Sequence, residues 1–396
     1  MRLSVNDILT VLRTRMEKGF PAPYNENLPG EPLGYDGTLN RGLLDELALN
    51  CTRLDRPHRS EKSQNQNISI GKNDENPLSF KSPIYPSFPP GTDKDDDIRT
   101  GTYLGHMMQD IPVYSCENNT TSQITQLLGS YDHSEILVFG PHRENVTLEN
   151  IMKADAIELD LSIPIGDIPS LQYQGGPKEF YPSTPNNPEL RSGKDIKDLV
   201  AMIRELGHVP VICTIDSQCI DKDMDYLLIS EIDAVKVRCG RHPLDGFLFS
   251  PYGRSMDPVT SLIRLNDHLK TFSAREKGIK VIIDGPILTG NDIILLKCLG
   301  ADMVVLDTTV ELALGLLIKG ETVGMGDQVK WDVIGEYLNN LFSSLNLEYG
   351  LLCNDLGLNV EGMFKEEMVT ALTYEAAART GLKLDGYGDR LSMWKH

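Results

Sequence analysis

The chain has 396 residues, 40% hydrophobic and 24% charged, an ordinary globular balance that excludes disorder of the whole and leaves room for a barrel of roughly 250 residues plus further segments. Its 38 basic against 57 acidic residues give a net charge of −19, which repels phosphate backbones and anionic lipid heads and argues against nucleic-acid and membrane partners. No run approaches the ~18 apolar residues that would span a bilayer, and the seven cysteines include no C-x-x-C pair, which points to reduced thiols in a cytoplasmic protein.

At the N-terminus, Val5, Ile8, Leu9, Leu12 and Met16 fall at helical spacing, Ser4 can cap, and no small-residue cleavage site follows. The pattern predicts an amphipathic helix and not a secretory leader. Residues 21–40 are rich in Gly, Pro and Asn, and 51–78 are polar, so residues 1–78 are expected to form one helix and an irregular approach.

From residue 79 short β-rich runs recur: SFKSPIY, DIPVYS, EILVFG, AIELDL, VPVICTI, DAVKVRC, KVIIDGP and MVVLDT. Helix-compatible stretches separate most of them. Strands alternating with helices form parallel crossover units, and eight of them predict an α/β fold, a (β/α)8 TIM barrel over residues 79–318. An open doubly wound sheet is the alternative. Two Pro/Gly-rich stretches, 162–192 after the fourth strand and 239–258 after the sixth, have the length of lids or binding loops. Both would cover the C-terminal mouth, where barrel enzymes keep their chemistry.

Residues 319–396 read as a C-terminal helical extension. Trp331, Ile334, Leu338, Leu341 and Leu345 make one stripe, and further helical stretches follow around Leu351 and through EEMVTALTYEAAART. The stripes of the first helix and of 331–345 exceed what one barrel needs to cover, which predicts a homo-oligomer or a protein partner.

The strongest local signal is VIIDGPILTGND, residues 281–292, followed by Leu-Gly-Ala-Asp at 299–302. A buried strand ends in a Gly turn and a helix opens at Thr289 and Gly290. Free backbone N–H groups and a helix N-terminus converge there as a phosphate requires, although the same turn also serves without a ligand.

The segment DGPILTGNDIILLKCLGADMVVLDTTVELALG resembles, without gaps, the part of glutamate synthases that reads Asp-Gly-Gly-x-x-Thr-Gly-x-Asp, then Leu-Gly-Ala-Asp, then Ala-Leu-Gly. PLSFKSPIY is similar to that family's first barrel strand, KADAIELDL to its Ala-Asp-Ala-Ile-Glu strand, SGKDIKDLVAMIREL to a following helix, and residues 345–382 to its closing helices. The resemblance covers about residues 78–383. It implies a barrel that binds FMN and reduces 2-iminoglutarate, a small-molecule substrate, to glutamate. The cofactor-binding positions it implies are Asp284, Gly285, Thr289, Gly290, Asp307, Thr308 and Thr309. No catalytic residue is singled out.

The departures are specific. Pro286 stands for the second glycine of Asp-Gly-Gly and lacks an N–H. Asp307 replaces a glycine of the family's Gly-x-Gly-Arg after the last strand. Asp160 and Ile212 stand where the family has lysines on the fourth and fifth strands. CENNTT replaces a Gly-rich loop after the second strand, and Arg241 to Gly246 a Gly-Gly-Thr-Gly after the sixth. The iron–sulfur cysteine cluster and the N-terminal cysteine amidotransferase are absent.

Asp160, Asp216, Asp284 and Asp307 are all predicted at C-terminal strand ends around one mouth, where Arg238, Arg241 and His242 can restore positive charge. Exchanging lysine for aspartate beside a flavin costs on the order of several kcal/mol per contact at an effective dielectric of about 20. Three functions follow. The preferred one is an FMN-dependent oxidoreductase acting on a small amino or imino acid through a degenerate flavin site. The others are a non-catalytic structural or regulatory subunit of the same ancestry, and a barrel enzyme with a divalent metal on the carboxylates.

Overall fold

The computed structural model describes residues 5–19, 41–50, 67–71, 76–87, 96–115, 122–139, 148–161, 192–239, 256–318, 329–358 and 363–386. The barrel strands are β4 (Ile84–Tyr85), β5 (Val113–Tyr114), β6 (Glu135–Phe139), β7 (Ala156–Asp160), β8 (Val211–Asp216), β9 (Ala234–Arg238), β10 (Lys280–Asp284) and β11 (Met303–Val305). They form one parallel sheet in the order β4-β11-β10-β9-β8-β7-β6-β5. From β5 to β11 each strand therefore lies beside the next in sequence, and the first, β4, lies beside the eighth, β11, the order of a (β/α)8 barrel. All eight β-rich runs of the sequence became these strands. Between β4 and β5, the two ends of the sheet, the rings of Tyr85 and Tyr114 meet edge to face at 6.5 Å.

Helices α2 (Asp96–Met107), α3 (Ser122–Leu128), α4 (Leu148–Lys153), α5 (Gly193–Gly207), α6 (Ile220–Ile229), α7 (Pro258–Thr271), α8 (Gly290–Cys298) and α9 (Asp307–Ile318) alternate with the strands. Their starts are written locally: the side chains of Ser192, Asp257 and Thr289 cap α5, α7 and α8 by accepting first-turn N–H groups.

Alternation along the strands sorts the core into two shells. Outward residues such as Ile157, Leu159, Cys213, Val235 and Ile283 pack under the helices. Inward residues Ile136, Ala156, Ile212, Ala234, Ile282 and Met303 sit near the N-terminal ends of their strands. They pack on Ile68, Ile70, Leu78 and Phe80. These last four belong to an antiparallel hairpin, β2 (Ile68–Ile70) and β3 (Leu78–Phe80), which plugs that end of the barrel. The expectation of an irregular approach through residue 78 is corrected here. Ile-Ser-Ile is a strand too short to announce itself, and its partner makes it one.

Two further expectations change. The stretch around Leu351 is no separate element, because α10 (Trp331–Leu356) runs unbroken past it, and Val369–Ala371 is a strand, β12, followed by α11 (Tyr374–Thr380). β12 pairs antiparallel with β1 (Leu47–Leu49), which suits β-branched Val369 and Thr370 better than a helix does. Most of the two apolar stripes is covered within the chain, with Trp331 half-buried. Ile8, Leu9, Leu12 and Met16 of α1 (Val5–Lys18) and Ile334, Leu338, Leu341 and Leu345 of α10 are all buried in one cluster. Among the described residues no helix is long and apolar enough to cross a membrane. The five described cysteines are free, and burial pushes the thiols of Cys213 and Cys239 up, out of reactive range.

Candidate functional site at the barrel mouth

Parallel strands bring their C-terminal ends together, and four of the predicted mouth residues meet there. Asp160 ends β7, Asp216 ends β8, Arg238 ends β9 and Asp284 ends β10. Asp307 opens α9 two residues after β11. Arg238 lies directly across the ladder from Asp216, and its Nη2 is 3.5 Å from Asp160 Oδ2. Burial lowers the pKa of the Arg238 guanidinium, but Asp160, Asp216, Asp284 and Asp307 act together to hold it above its ordinary value. One cation is thus set among four carboxylates. Arg241 and His242, and all but the ends of the 162–192 and 239–258 loops, lie outside the described residues.

Below this ring the barrel interior is charged. Glu158, two residues before Asp160 on the same inward face, accepts from Thr214 Oγ1 at 2.6 Å, Tyr85 OH at 2.8 Å, Lys236 Nζ at 2.9 Å and Tyr114 OH at 3.1 Å. Lys236 also donates to Tyr114 OH at 2.8 Å and stands over the rings of Tyr85 and Tyr114. Burial pushes the Glu158 carboxyl up, yet Lys236 and the hydrogen bonds from Thr214, Lys236 and Tyr85 hold it below the usual range. Beside this carboxylate, the buried hydroxyls of Tyr85 and Tyr114 are pushed well above their ordinary pKa, by burial first and by Glu158 next. The network is a satisfied floor beneath the mouth. Sequence reading passed over it, although a Glu inside AIELD and a Lys inside AVKVR each share a face with a strand-end charge two residues on.

The turn assigned to a phosphate is differently employed. Leu288 N and Thr289 N donate to Asp292 Oδ2 at 2.9 and 3.0 Å, and Asp292 N donates to Thr289 Oγ1 at 3.0 Å. Gly290 N donates to Glu348 Oε2 of α10 at 2.9 Å. Those carboxylates are locked in turn: Arg41 reaches Asp292 at 2.6 Å, and Arg15 reaches Glu348 at 2.7 Å. A Cβ at Gly290 would stand 2.5 Å from Tyr349 N, and one at Gly285 2.4 Å from Pro258 Cγ. Both glycines are thus demanded by backbone and proline packed against them. Ile287 N donates to Gly285 O at 2.9 Å, so protein acceptors take the N–H groups of 287, 288, 289, 290 and 292.

The α9 turn differs. The Thr309 hydroxyl donates to Ile287 O, whereas Thr308 is 4% exposed and its hydroxyl has no hydrogen-bond partner among the described residues. The α9 N-terminus and Thr308 can offer donors to an anion, and the Asp307 carboxylate shares their turn. Among the described residues no three His, Cys, Asp or Glu side chains group as a metal site.

No family model matches the sequence, and no curated protein matches it. Solved structures do. A lactate oxidase of Pediococcus acidilactici aligns at TM-score 0.55 and 13% identity over 84% of this chain and 85% of that one. The recombinant flavin-binding domain of baker's yeast flavocytochrome b2 aligns at 0.53 and 14%, over 89% and 82%. An active mutant of (S)-mandelate dehydrogenase aligns at 0.52 and 16%, over 91% and 98%. Likeness at this identity establishes the shared barrel fold.

Proposed function

We propose that this chain is an oxidoreductase of the FMN-barrel kind, acting on a small amino or imino acid, with a degenerate flavin site. The fold likeness to a flavin-binding domain and the glutamate-synthase-like run through residues 284–315 support the lineage. The substrate class rests on one observation, Arg238 set among four strand-end carboxylates. A 2-hydroxy acid such as lactate or mandelate brings only a negative charge to that ring. An amino acid brings a carboxylate for Arg238 and an ammonium for the aspartates, so both signs are matched. We therefore expect L-glutamate and other amino acids to raise Tm in a saturable way, L-lactate to leave it unchanged, and Arg238→Met to abolish the effect. Stabilisation by lactate and not by amino acids would overturn the assignment.

The residues present fit FMN poorly at its phosphate end. Protein acceptors already take the N–H groups of 287, 288, 289, 290 and 292, Pro286 has no N–H to give, and Asp307 opposes a dianion at the α9 turn. FMN, when bound, supplies hydride chemistry at the mouth. This chain's contribution is to orient a zwitterion between Arg238 and the aspartates, above a floor made by Glu158 and Lys236. FMN titration of the apo-protein is expected to give weak or sub-stoichiometric binding. Asp307→Gly, which removes the like charge, should tighten it at least about tenfold, since ~1.4 kcal/mol suffices for that factor. Tight stoichiometric binding by the unaltered chain would mean that the substitutions are harmless. No binding in a folded barrel would favour the second reading, a non-catalytic subunit of the same ancestry, for which the filled α8 N-terminus is the supporting observation.

A further inference from the structure

The outward side of α10 differs from the rest of the surface in its lack of charge. The helix is held from both flanks. Gly101 and Gly105 of α2 pack on Ile334 and Leu338, while Arg15 of α1 donates to Ser344 and Glu348 and the Met16 carbonyl accepts from Asn340. Its inward residues Leu338, Leu341, Phe342, Leu345, Tyr349 and Cys353 are buried. The side left over carries Ser343, Leu347, Gly350 and Asn354, at alternating intervals of four and three residues, with Leu351 beside them. Leu347 is 41% and Leu351 54% exposed, and a Cβ on Gly350 would meet nothing within 4 Å.

Between Glu336 and Asp355 the helix has one charged residue, Glu348, and that carboxylate is turned inward onto Arg15 and the Gly290 N–H. Two exposed leucines are ordinary on any surface. A helix side free of charge over about five turns is not ordinary, in a chain that is 24% charged with a net of −19. Two such molecules repel, so they can meet only where neither presents carboxylates. In a two-fold contact each residue meets its own counterpart or one close to it. An acidic residue there would face a like charge, whereas Ser343 and Asn354 each carry a donor and an acceptor and can bond one another. Gly350, between Leu347 and Asn354, lets two helix backbones approach closely. The occupant this side suits is therefore a second copy of the chain.

We propose that α10 is a self-association surface, on which two copies pack antiparallel about a two-fold axis at Gly350. Leu347 of each lies on Leu351 of the other, and Ser343 lies opposite Asn354. The expected homo-oligomer is thereby assigned to the outward side of the helix and not to the inward stripe of 331–345, most of which the chain itself covers. A contact one helix wide falls short of the roughly 800 Å² per partner of a standard interface, so monomer and dimer exchange with concentration. The surface does not depend on the function proposed for the mouth.

The test is sedimentation velocity of the full chain from micromolar to millimolar concentration. A monomer–dimer equilibrium is expected, and sodium chloride should strengthen it by screening the net charge. Leu351→Glu, which sets a carboxylate in the contact, should raise the dissociation constant at least about tenfold. Met152→Glu on α4, where the parent side chain is 64% exposed, should leave it unchanged. Gly350→Cys should give far more disulfide-linked dimer on air oxidation than the unaltered chain, because only a two-fold contact brings the same residue of two copies together. If Leu351→Glu folds poorly, that cross-link decides alone. A chain that stays monomeric across the whole range overturns the proposal. So does a dimer that Leu351→Glu leaves intact and Gly350→Cys does not link, since the contact then lies elsewhere.

Discussion

Lys236→Met is expected to lower the free energy of unfolding by about 3–5 kcal/mol, the usual cost of removing one partner from a buried ion pair. The reason is what remains behind. Glu158 is 3% exposed in the middle of the barrel, and without Lys236 its charge rests on three hydroxyls. It must then either stay ionised in a poor solvent or take up a proton, and both cost free energy. The double substitution Glu158→Gln with Lys236→Met should recover most of the loss, because a neutral amide can still bond Thr214, Tyr85 and Tyr114. Urea denaturation of the four species makes the comparison. A loss below about 1 kcal/mol for Lys236→Met, the range of exposed pairs, would mean that water reaches the pair through the mouth.

The second large effect is a dependence on pH carried by His106. This histidine on α2 is 3% exposed and stacks on Phe342, and its Nε2 accepts from Ser87 N at 3.1 Å. Burial lowers its pKa to about 4, against the opposing pull of the Thr102 carbonyl and Asp307. The folded value lies below the unfolded one of about 6.5. The contribution of neutral His106 is therefore complete above pH 6.5, falls as the pH drops towards 4, and is lost below that. The span corresponds to about 3 kcal/mol. Between pH 7 and 4.5 the unaltered protein should lose more stability than His106→Gln, whose amide can still accept from Ser87 but cannot be protonated in this range. An imidazole that titrates near 6.5 by NMR would refute the buried, neutral state. Ser87 Oγ in turn accepts from Leu306 N at 2.9 Å, so protonation would loosen the join between the first and eighth strands beside Asp307.

The barrel was legible because its signals are local. Eight short β-rich runs, and caps such as Ser192, Asp257 and Thr289, state where strands and helices begin without reference to the rest of the chain. The ring of Asp160, Asp216, Arg238, Asp284 and Asp307 was legible for the same reason, since parallel strands gather their C-terminal residues whatever the side chains are. What escaped was whatever depends on distant partners. Gly290 looks like a phosphate donor until Glu348, 58 residues later, takes its N–H. Ile68–Ile70 and Val369–Ala371 become strands only through pairing. The stripe of α1 looked like an interface because α10, more than 300 residues away, could not be seen to cover it. Glu158 and Lys236 were overlooked because charges in mid-strand count as exposed in a pattern, and only closure of the barrel makes them interior.

The pairing of β1 with β12 has a consequence for how the protein is made. Thr370 bonds the carbonyl of Ala48 across 322 residues of sequence, so one strand of this small sheet leaves the ribosome long before the other exists. At 5–20 residues per second the wait is roughly 15–60 s. Throughout that interval Leu47–Leu49 is an unpaired edge, and the apolar face of α1 has no α10 to lie on. Both apolar surfaces stay uncovered until residues 331–371 have been made. The pairing of β1 with β12 and the packing of α1 on α10 are thus late steps, added to a barrel whose strands have all been made.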